Sequence, residues 1–246
     1  MRRYLVGAIA LVSAVAFAAT ALGQGTASRQ SASLKFTVER PNAATGVRIA
    51  IDYRNPNDPD AKPFAVRRVV TELARGSRTN TRVPARCGAS DAQLMAQGAG
   101  ACPDRSIVGG GRLSTDNGVP GPSRMIRNRV TLINNRRELI FLTRSTNTPA
   151  PMRLVVRADA EGRKTTTTVP PVPGGPPDGF LAIDRVKLRM QKLSRRIDGE
   201  RRAYVRTPHS CPGSERWVSA FRFGYRDGVT QTVTSRTPCR HVRSRR

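Results

Sequence analysis

The sequence predicts an all-β protein, an antiparallel β-sandwich of immunoglobulin-like or jelly-roll-like type, with one short helix in a disulfide-framed insert. Three observations lead there. Several short runs alternate apolar and polar residues at period two, the signature of half-buried strands. Gly and Pro contribute 21 and 18 of 246 residues, so turns interrupt the chain too often for a helical bundle. The cysteines number four, and Cys87 with Cys102 and Cys211 with Cys239 each frame a local unit. Four cysteines allow three pairings, and sequential pairing is expected because each pair closes its own unit.

The elements follow in order. Met1-Arg2-Arg3, the apolar stretch Leu5–Phe17 and the small residues near Ala21 have the three parts of an export signal, placed at 1–23. The alternative is an uncleaved anchor, since Leu5 to Leu22 is 18 uncharged residues, the lower limit for a spanning helix. Its alanine content makes that stretch only weakly apolar. No later run suits a bilayer, so no transmembrane segment is expected after signal cleavage. Residues 24–33 read as a flexible lead-in. Residues 34–240 read as the secreted β domain, with a division into two sub-sheets near 115–125, and 241–246 as a basic disordered tail.

Leu34, Phe36 and Val38 open a first strand, and Val47, Ile49, Ile51 and Tyr53 a second. Three prolines make 54–63 an extended loop. Val66–Leu73 is a third strand whose adjacent Arg67 and Arg68 require one arginine to point inward or snorkel to the rim. Ser90-Asp91 caps a helix running to about Gln97 and ended by Gly98, which sets Leu94 against the domain. Gly109–Gly111 lacks the Gly-Lys-Ser/Thr ending of a phosphate loop and reads as a strand edge or bulge. Val130–Ile133 and Leu139–Leu142 form a central hairpin with its turn at Asn134-Asn135. Met152–Val156 and Phe180–Leu188 are further strands. Pro170–Gly179 reads as an exposed linker or long loop, and Arg195–Arg206 as a charged connection.

The last unit is the clearest. Trp217, Ser219, Phe221, Phe223 and Tyr225 share one face of a strand, and Val229–Ser235 returns. Asp227-Gly228 suits a two-residue type I′ turn, which would pair Arg226 with Val229 and bring Cys211 to Cys239 at the hairpin base. A bridge there contributes about 3–4 kcal/mol by loop entropy, less any strain.

The segments RCGASDAQLMAQGAGACPDRSIVGGG and TPHSCPGSERWVSAFRFGYRDGVTQTVTSRTPC, with KPFAVRRVV ahead of them, resemble a group of uncharacterised secreted all-β proteins of soil actinobacteria with two cysteine-framed segments. The resemblance implies export and an all-β body. That group has no established activity, so no functional residue carries over.

For function, charge dominates. The formal net charge is +26, nearly all of it arginine. Such a surplus attracts polyanions, although it is equally compatible with a merely solvated surface. Arg124, Arg127 and Arg129 form one cluster, Arg136 and Arg137 a second, and Arg195, Arg196, Arg201 and Arg202 a third. Arginine pairs bidentately with phosphate and carboxylate, so the expected partner is an anionic cell-wall or extracellular polymer. No nucleic-acid motif accompanies the clusters. No catalytic residue, metal site or cofactor is expected. His209 and His241 sit too close to Cys211 and Cys239 for ordinary zinc spacing. Asp198 and Glu200 are hemmed in by arginines, and Trp217 and Tyr225 suit a core better than a sugar platform. The expected function is a secreted, non-catalytic binding or envelope-associated protein. The alternatives are a secreted carbohydrate-active hydrolase and a purely structural or adhesin module.

Overall fold

A computed structural model of the protein describes Ala27–Arg240. The segment 1–23 expected to be an export signal, residues 24–26 of the expected lead-in and the expected tail 241–246 lie outside the described residues.

In chain order the first strands are β1 (Gln30–Phe36), β2 (Ala44–Thr45), β3 (Val47–Tyr53), β4 (Val66–Glu72) and β5 (Arg78–Thr79). Helix α1 (Asp91–Gln97) comes next, then β6 (Ile107–Asp116), β7 (Met125–Asn135), β8 (Glu138–Ser145), β9 (Arg153–Glu161) and β10 (Lys164–Thr168). The chain ends with β11 (Ala182–Met190), β12 (Ser194–Ile197), β13 (Glu200–Ala203), β14 (Val205–Arg206), β15 (Arg216–Tyr225) and β16 (Thr230–Pro238). Eleven of these strands lie side by side in one antiparallel sheet, in the order β1-β3-β11-β6-β7-β8-β9-β10-β4-β15-β16.

The two edges of that sheet return to each other. Leu34 N donates to Ser235 Oγ at 2.8 Å, and Ser235 Oγ and Thr237 Oγ1 donate to Leu34 O at 3.0 and 3.1 Å. Arg29 N donates to Gln231 Oε1 at 3.0 Å. Hydroxyls and an amide, in place of a backbone ladder, seal the seam between β1 and β16. The antiparallel all-β expectation holds, and its two layers are the two walls of one sheet rolled into a near-barrel. β6 and β7 pair across 115–125, so that stretch is a hairpin connection inside the sheet and divides nothing. Small ladders β12-β13 and β2-β14-β5 lie outside the main sheet.

One half of the interior is packed. Trp217, Phe221, Phe223 and Tyr225 of β15 are all buried, as their period-two spacing demands. Phe36 meets Trp217 edge-on at 5.7 Å between ring centroids, and Tyr53 meets Phe223 at 5.8 Å. Burying each such ring stabilises the fold by about 1.5–3 kcal/mol. The hairpin turn is one residue longer than expected. Tyr225 pairs with Val229 around Arg226-Asp227-Gly228, and Gly228 alone takes positive φ, at 87°. Asp227 instead accepts the Val229 N–H on its side chain, so it has no need of the left-handed region. Cys211 and Cys239 are bonded with Cα atoms 5.5 Å apart.

The second disulfide, Cys87–Cys102, frames α1 against the outside of the sheet. Ser90 and Gln93 form a reciprocal capping box, and Gly98 ends the helix at φ 70°. Leu94 is fully buried against Ile133, Ile140 and Leu142 in a small outer core, while Met95 stays exposed. Two arginines of β9 grip the helix ends. Arg157 donates to Asp91 Oδ1 at 2.7 Å and Ala89 O at 2.8 Å, and Arg153 donates to Met95 O at 2.8 Å and Ala96 O at 3.1 Å.

Other local expectations shift. β1 begins at Gln30, which is buried and whose Oε1 accepts from Tyr225 Oη, so the lead-in is shorter than 24–33. Asn134 belongs to strand β7. Its Nδ2 donates to Thr81 O at 3.0 Å and Ala85 O at 2.9 Å, fastening the chain that enters the helical insert. The turn falls instead at Arg136-Arg137, with Arg137 at φ 56°. Arg67 and Arg68 are both exposed because Val66 pairs with Tyr225 and Arg68 with Gly224, leaving Arg67 as the extra residue of a bulge. Arg195–Arg206 is the β12–β13 hairpin plus β14. Pro170–Gly179 is a tethered loop and no linker, for Gly175 N donates to Asn117 O at 2.6 Å and Gly174 N to Gly179 O at 2.8 Å.

The three tyrosines among the described residues, Tyr53, Tyr204 and Tyr225, are all buried, and burial pushes each phenol well above its ordinary value. A group neutral in the folded state and freer to ionise in the unfolded one stabilises fully below about pH 10, and that contribution falls as pH rises. In protein lacking residues 1–26, absorbance at 295 nm should therefore show no phenolate while the β-sheet circular dichroism signal persists. All three tyrosines should ionise together with its loss. Phenolate formation near pH 10 in a folded protein would contradict the burial.

Candidate functional site

Strand alternation sends every second residue of β3, β11, β6, β7, β8 and β9 to the outside of the near-barrel. On β11 these are Arg185, Lys187 and Arg189. On β6 they include Arg112, on β7 Arg127 and Arg129, on β8 Arg144 and on β9 Arg153. The register aligns them. Lys187 lies opposite Arg112, Arg112 opposite Arg129, Arg129 opposite Arg144 and Arg144 opposite Arg153. This row of cations crosses β11, β6, β7, β8 and β9 without a gap, and at ~4.8 Å per strand it spans roughly 19 Å. A shorter row, Lys35–Arg48–Arg189, crosses β1, β3 and β11. The two rows meet where Lys187 and Arg189 share the outer side of β11.

Few acids answer this charge. Asp52 takes Arg185, and Asp91 and Glu138 take Arg157. Arg153 is occupied with the carbonyls of α1. Lys187, Arg112, Arg129, Arg144, Lys35, Arg48 and Arg189 are exposed and form no ion pair among the described residues. Like charges directly opposite one another on neighbouring strands destabilise a sheet. This face therefore carries a repulsion that a bound polyanion would relieve.

The three clusters expected from the sequence divide. Arg127 and Arg129 belong to the face just described, and Arg127 is exposed two residues along β7 from the row. Arg124 does not. Its Nε and Nη2 bind the Asp116 carboxylate at 3.1 and 2.9 Å, and its Nη2 also reaches Asp60 O at 2.6 Å. The Asp116 contact holds its guanidinium above the usual arginine range, and Arg124 serves as a clamp between loops. Arg136 and Arg137 are exposed at the β7–β8 turn. Arg195 lies opposite Arg202 and Arg196 opposite Arg201, giving the β12–β13 hairpin its own like-charge ladder. Arg202 is met by Glu200 at 3.4 Å, and Arg201 Nε donates to Ser194 Oγ at 3.1 Å.

Sequence reasoning missed Lys35, Arg48, Arg112, Arg144, Lys187 and Arg189. The alternation of Arg185, Lys187 and Arg189 was a visible sign of a cationic strand face. The alignment of β11 with β6 was not visible, since those strands are far apart in the chain.

The other candidate chemistries find a different setting. All four cysteines are bonded to one another in disulfides, so none is a free ligand. His209 is exposed, and His241 lies outside the described residues. Trp217 is buried with its Nε1 donating to Ser210 O at 3.0 Å, and the Tyr225 ring is buried too, so neither offers a face to a sugar. Asp198 and Glu200 are exposed at the β12–β13 turn. A surface cleft of about 370 Å³ holds two other carboxylates, but Asp178 is bound by Lys62 and Asp227 by Arg29.

No known family model, curated protein or solved structure matches the chain.

Proposed function

We propose that this is an exported, non-catalytic binding protein that holds an anionic polymer of the cell envelope or extracellular space against the cationic outer face of its near-barrel. The observation that carries the reading is the row Lys187–Arg112–Arg129–Arg144, aligned by the register and free of acidic partners among the described residues. Two disulfides suit an oxidising compartment, and the 1–23 segment has the composition of an export signal. Among the described residues no helix is long and apolar enough to cross a membrane. An outer sheet face with a regular ladder of guanidinium groups fits a repeating phosphate or carboxylate better than any single small anion.

Long-chain polyphosphate is a direct probe. Its affinity should weaken steeply between 50 and 200 mM salt, as for any contact that releases counterions. The triple variant Arg112→Gln/Arg129→Gln/Arg144→Gln should lower affinity at least tenfold at low salt and reduce the salt slope by about 2. The triple Arg68→Gln/Arg222→Gln/Arg236→Gln removes the same charge from other exposed strand positions and should cost much less. Equal losses from the two triples, or no binding at low salt, would overturn the assignment of this face.

A further inference from the structure

The other half of the interior is hollow. A cavity of about 330 Å³ lies inside the near-barrel, walled by inward residues of β3, β4 and β6 to β11. Its shape has a floor and a mouth. At one end Leu73, Tyr204 and Val205 line it and are buried, and the small ladder β2-β14-β5 brings Val205 there. At the other end Ile126, Leu181 and Ile183 remain only partly buried, and Met152 is 54% exposed. Aliphatic side chains that face inward yet stay half-exposed mark a space that side chains do not fill. The packed half of the same sheet, where Phe221 and Phe223 are 0% exposed, shows the contrast.

The lining is almost without charge. It contains no Asp or Glu, and its one cation, Arg153, is engaged with the carbonyls of α1. It does contain neutral hydroxyls. Thr71, Thr165 and Thr167 line the cavity and make no side-chain hydrogen bond among the described residues. Thr115 Oγ1 is buried there without a partner among the described residues. A buried hydroxyl left unpaired is costly, so Thr115 is a polar group waiting for a complement. An unpaired ligand charge would be far more costly in such walls. The volume is about twice the ~150 Å³ of an apolar cavity that takes up benzene, and it falls at the small end of the ~300–1,000 Å³ range of ligand sites.

From this we infer that the interior cavity binds one slender, uncharged and mainly apolar molecule, the size of a chain of about ten to twelve carbons, whose single hydroxyl or carbonyl pairs with Thr115. The mouth beside Met152 and Leu181 admits it, and the floor at Tyr204 and Val205 sets the depth of entry. This site is independent of the cationic face and stands or falls separately from it.

The test uses the oxidised protein and the uncharged fluorophore N-phenyl-1-naphthylamine. Binding should saturate at one molecule per chain. It should also draw energy transfer from Trp217, which is the only tryptophan in the sequence and is buried in the packed half. Dodecanol should displace the fluorophore. Leu154→Trp, which fills the partly open interior, should weaken fluorophore binding at least tenfold, whereas Val218→Trp on the exposed outer side should leave it unchanged. If Leu154→Trp does not fold, Ile183→Trp on β11 blocks the same space. Thr115→Val should weaken dodecanol at least threefold and leave dodecane unaffected. Fluorophore binding that never saturates, that gives no transfer from Trp217, or that survives the blocked interior would overturn the inference.

Discussion

Replacing Gly111 by alanine should destabilise the protein by about 3 kcal/mol or more, a larger effect than one added methyl usually has in a core. A Cβ at this position would lie 2.0 Å from Lys187 O and 2.9 Å from Leu188 Cα, both backbone atoms of β11. At Gly109 it would lie 2.1 Å from Arg189 O, and at Gly110 2.7 Å from Val130 O of β7 on the other side. No rotamer relieves such contacts, because the obstacle is main chain. Gly109 and Gly111 point inward where β11 and β6 crowd together, and this close approach lets a broad sheet turn back on itself. Urea denaturation should show a lower midpoint for Gly111→Ala. The control Gly213→Ala should stay within about 0.5 kcal/mol of the parent, since nothing lies within 4 Å of its added Cβ. If Gly111→Ala matches that control, the corner is not where the sheet is shaped. The same substitution would also spread Lys187 from Arg112, so a folded Gly111→Ala protein should bind polyphosphate less tightly.

What the sequence disclosed and what it concealed divide along sequence distance. The β15–β16 hairpin was legible because the aromatic alternation, the Asp227-Gly228 signal and the two cysteines all lie within one local unit. Its turn is one residue longer than the Asp-Gly signal alone suggests, because Asp-Gly serves both a two-residue loop and a three-residue loop ending in a left-handed glycine. The capped helix was legible for the same local reason, with Ser90, Gln93 and Gly98 at fixed offsets. Asn134 misled because an asparagine pair usually marks a turn, whereas here its amide is needed to hold Thr81 and Ala85, residues fifty positions away in the chain. The order of strands was out of reach, since β3 beside β11 and β4 beside β15 join segments that share no local signal. The cationic row depends on that order, and so could not be read from the arginine clusters along the chain. The cavity was hidden more deeply. Period-two alternation identifies inward residues, but it does not say whether enough side-chain volume faces them to fill the space between.

The second large effect is expected at Lys62. Its side chain is 2% exposed, and its ammonium group donates to Asp178 Oδ1 at 2.5 Å, Phe180 O at 2.7 Å and Gly175 O at 2.9 Å. All three donors are used, which is why an otherwise costly buried cation is tolerated. Its three acceptors belong to one stretch, 175–180, so a single side chain from the 54–63 loop fixes the proline-rich loop that borders the cavity mouth. Lys62→Met keeps the aliphatic stem but strips these acceptors of their donor. Only the ammonium is buried, since the Asp178 side chain is 36% exposed, so the cost falls below that of a fully buried pair, at about 2–3 kcal/mol, which for a chain of this size lowers the melting temperature by roughly 5–10 °C. Asp178→Asn alone should cost less than Lys62→Met, because its carboxylate is exposed and its Oδ1 also accepts from Phe180 N at 3.2 Å. The location of the loss is the sharper measurement. Most of the main sheet does not depend on Lys62, so hydrogen exchange and limited proteolysis should quicken first in 170–181 while amides of β7 and β8 stay protected. Loosening confined to that loop should also speed fluorophore entry and exit without changing the one-to-one stoichiometry. Uniform loss of protection across β7, β8 and the loop would instead make Lys62 a support of the whole barrel and remove its role as the fastening of the mouth.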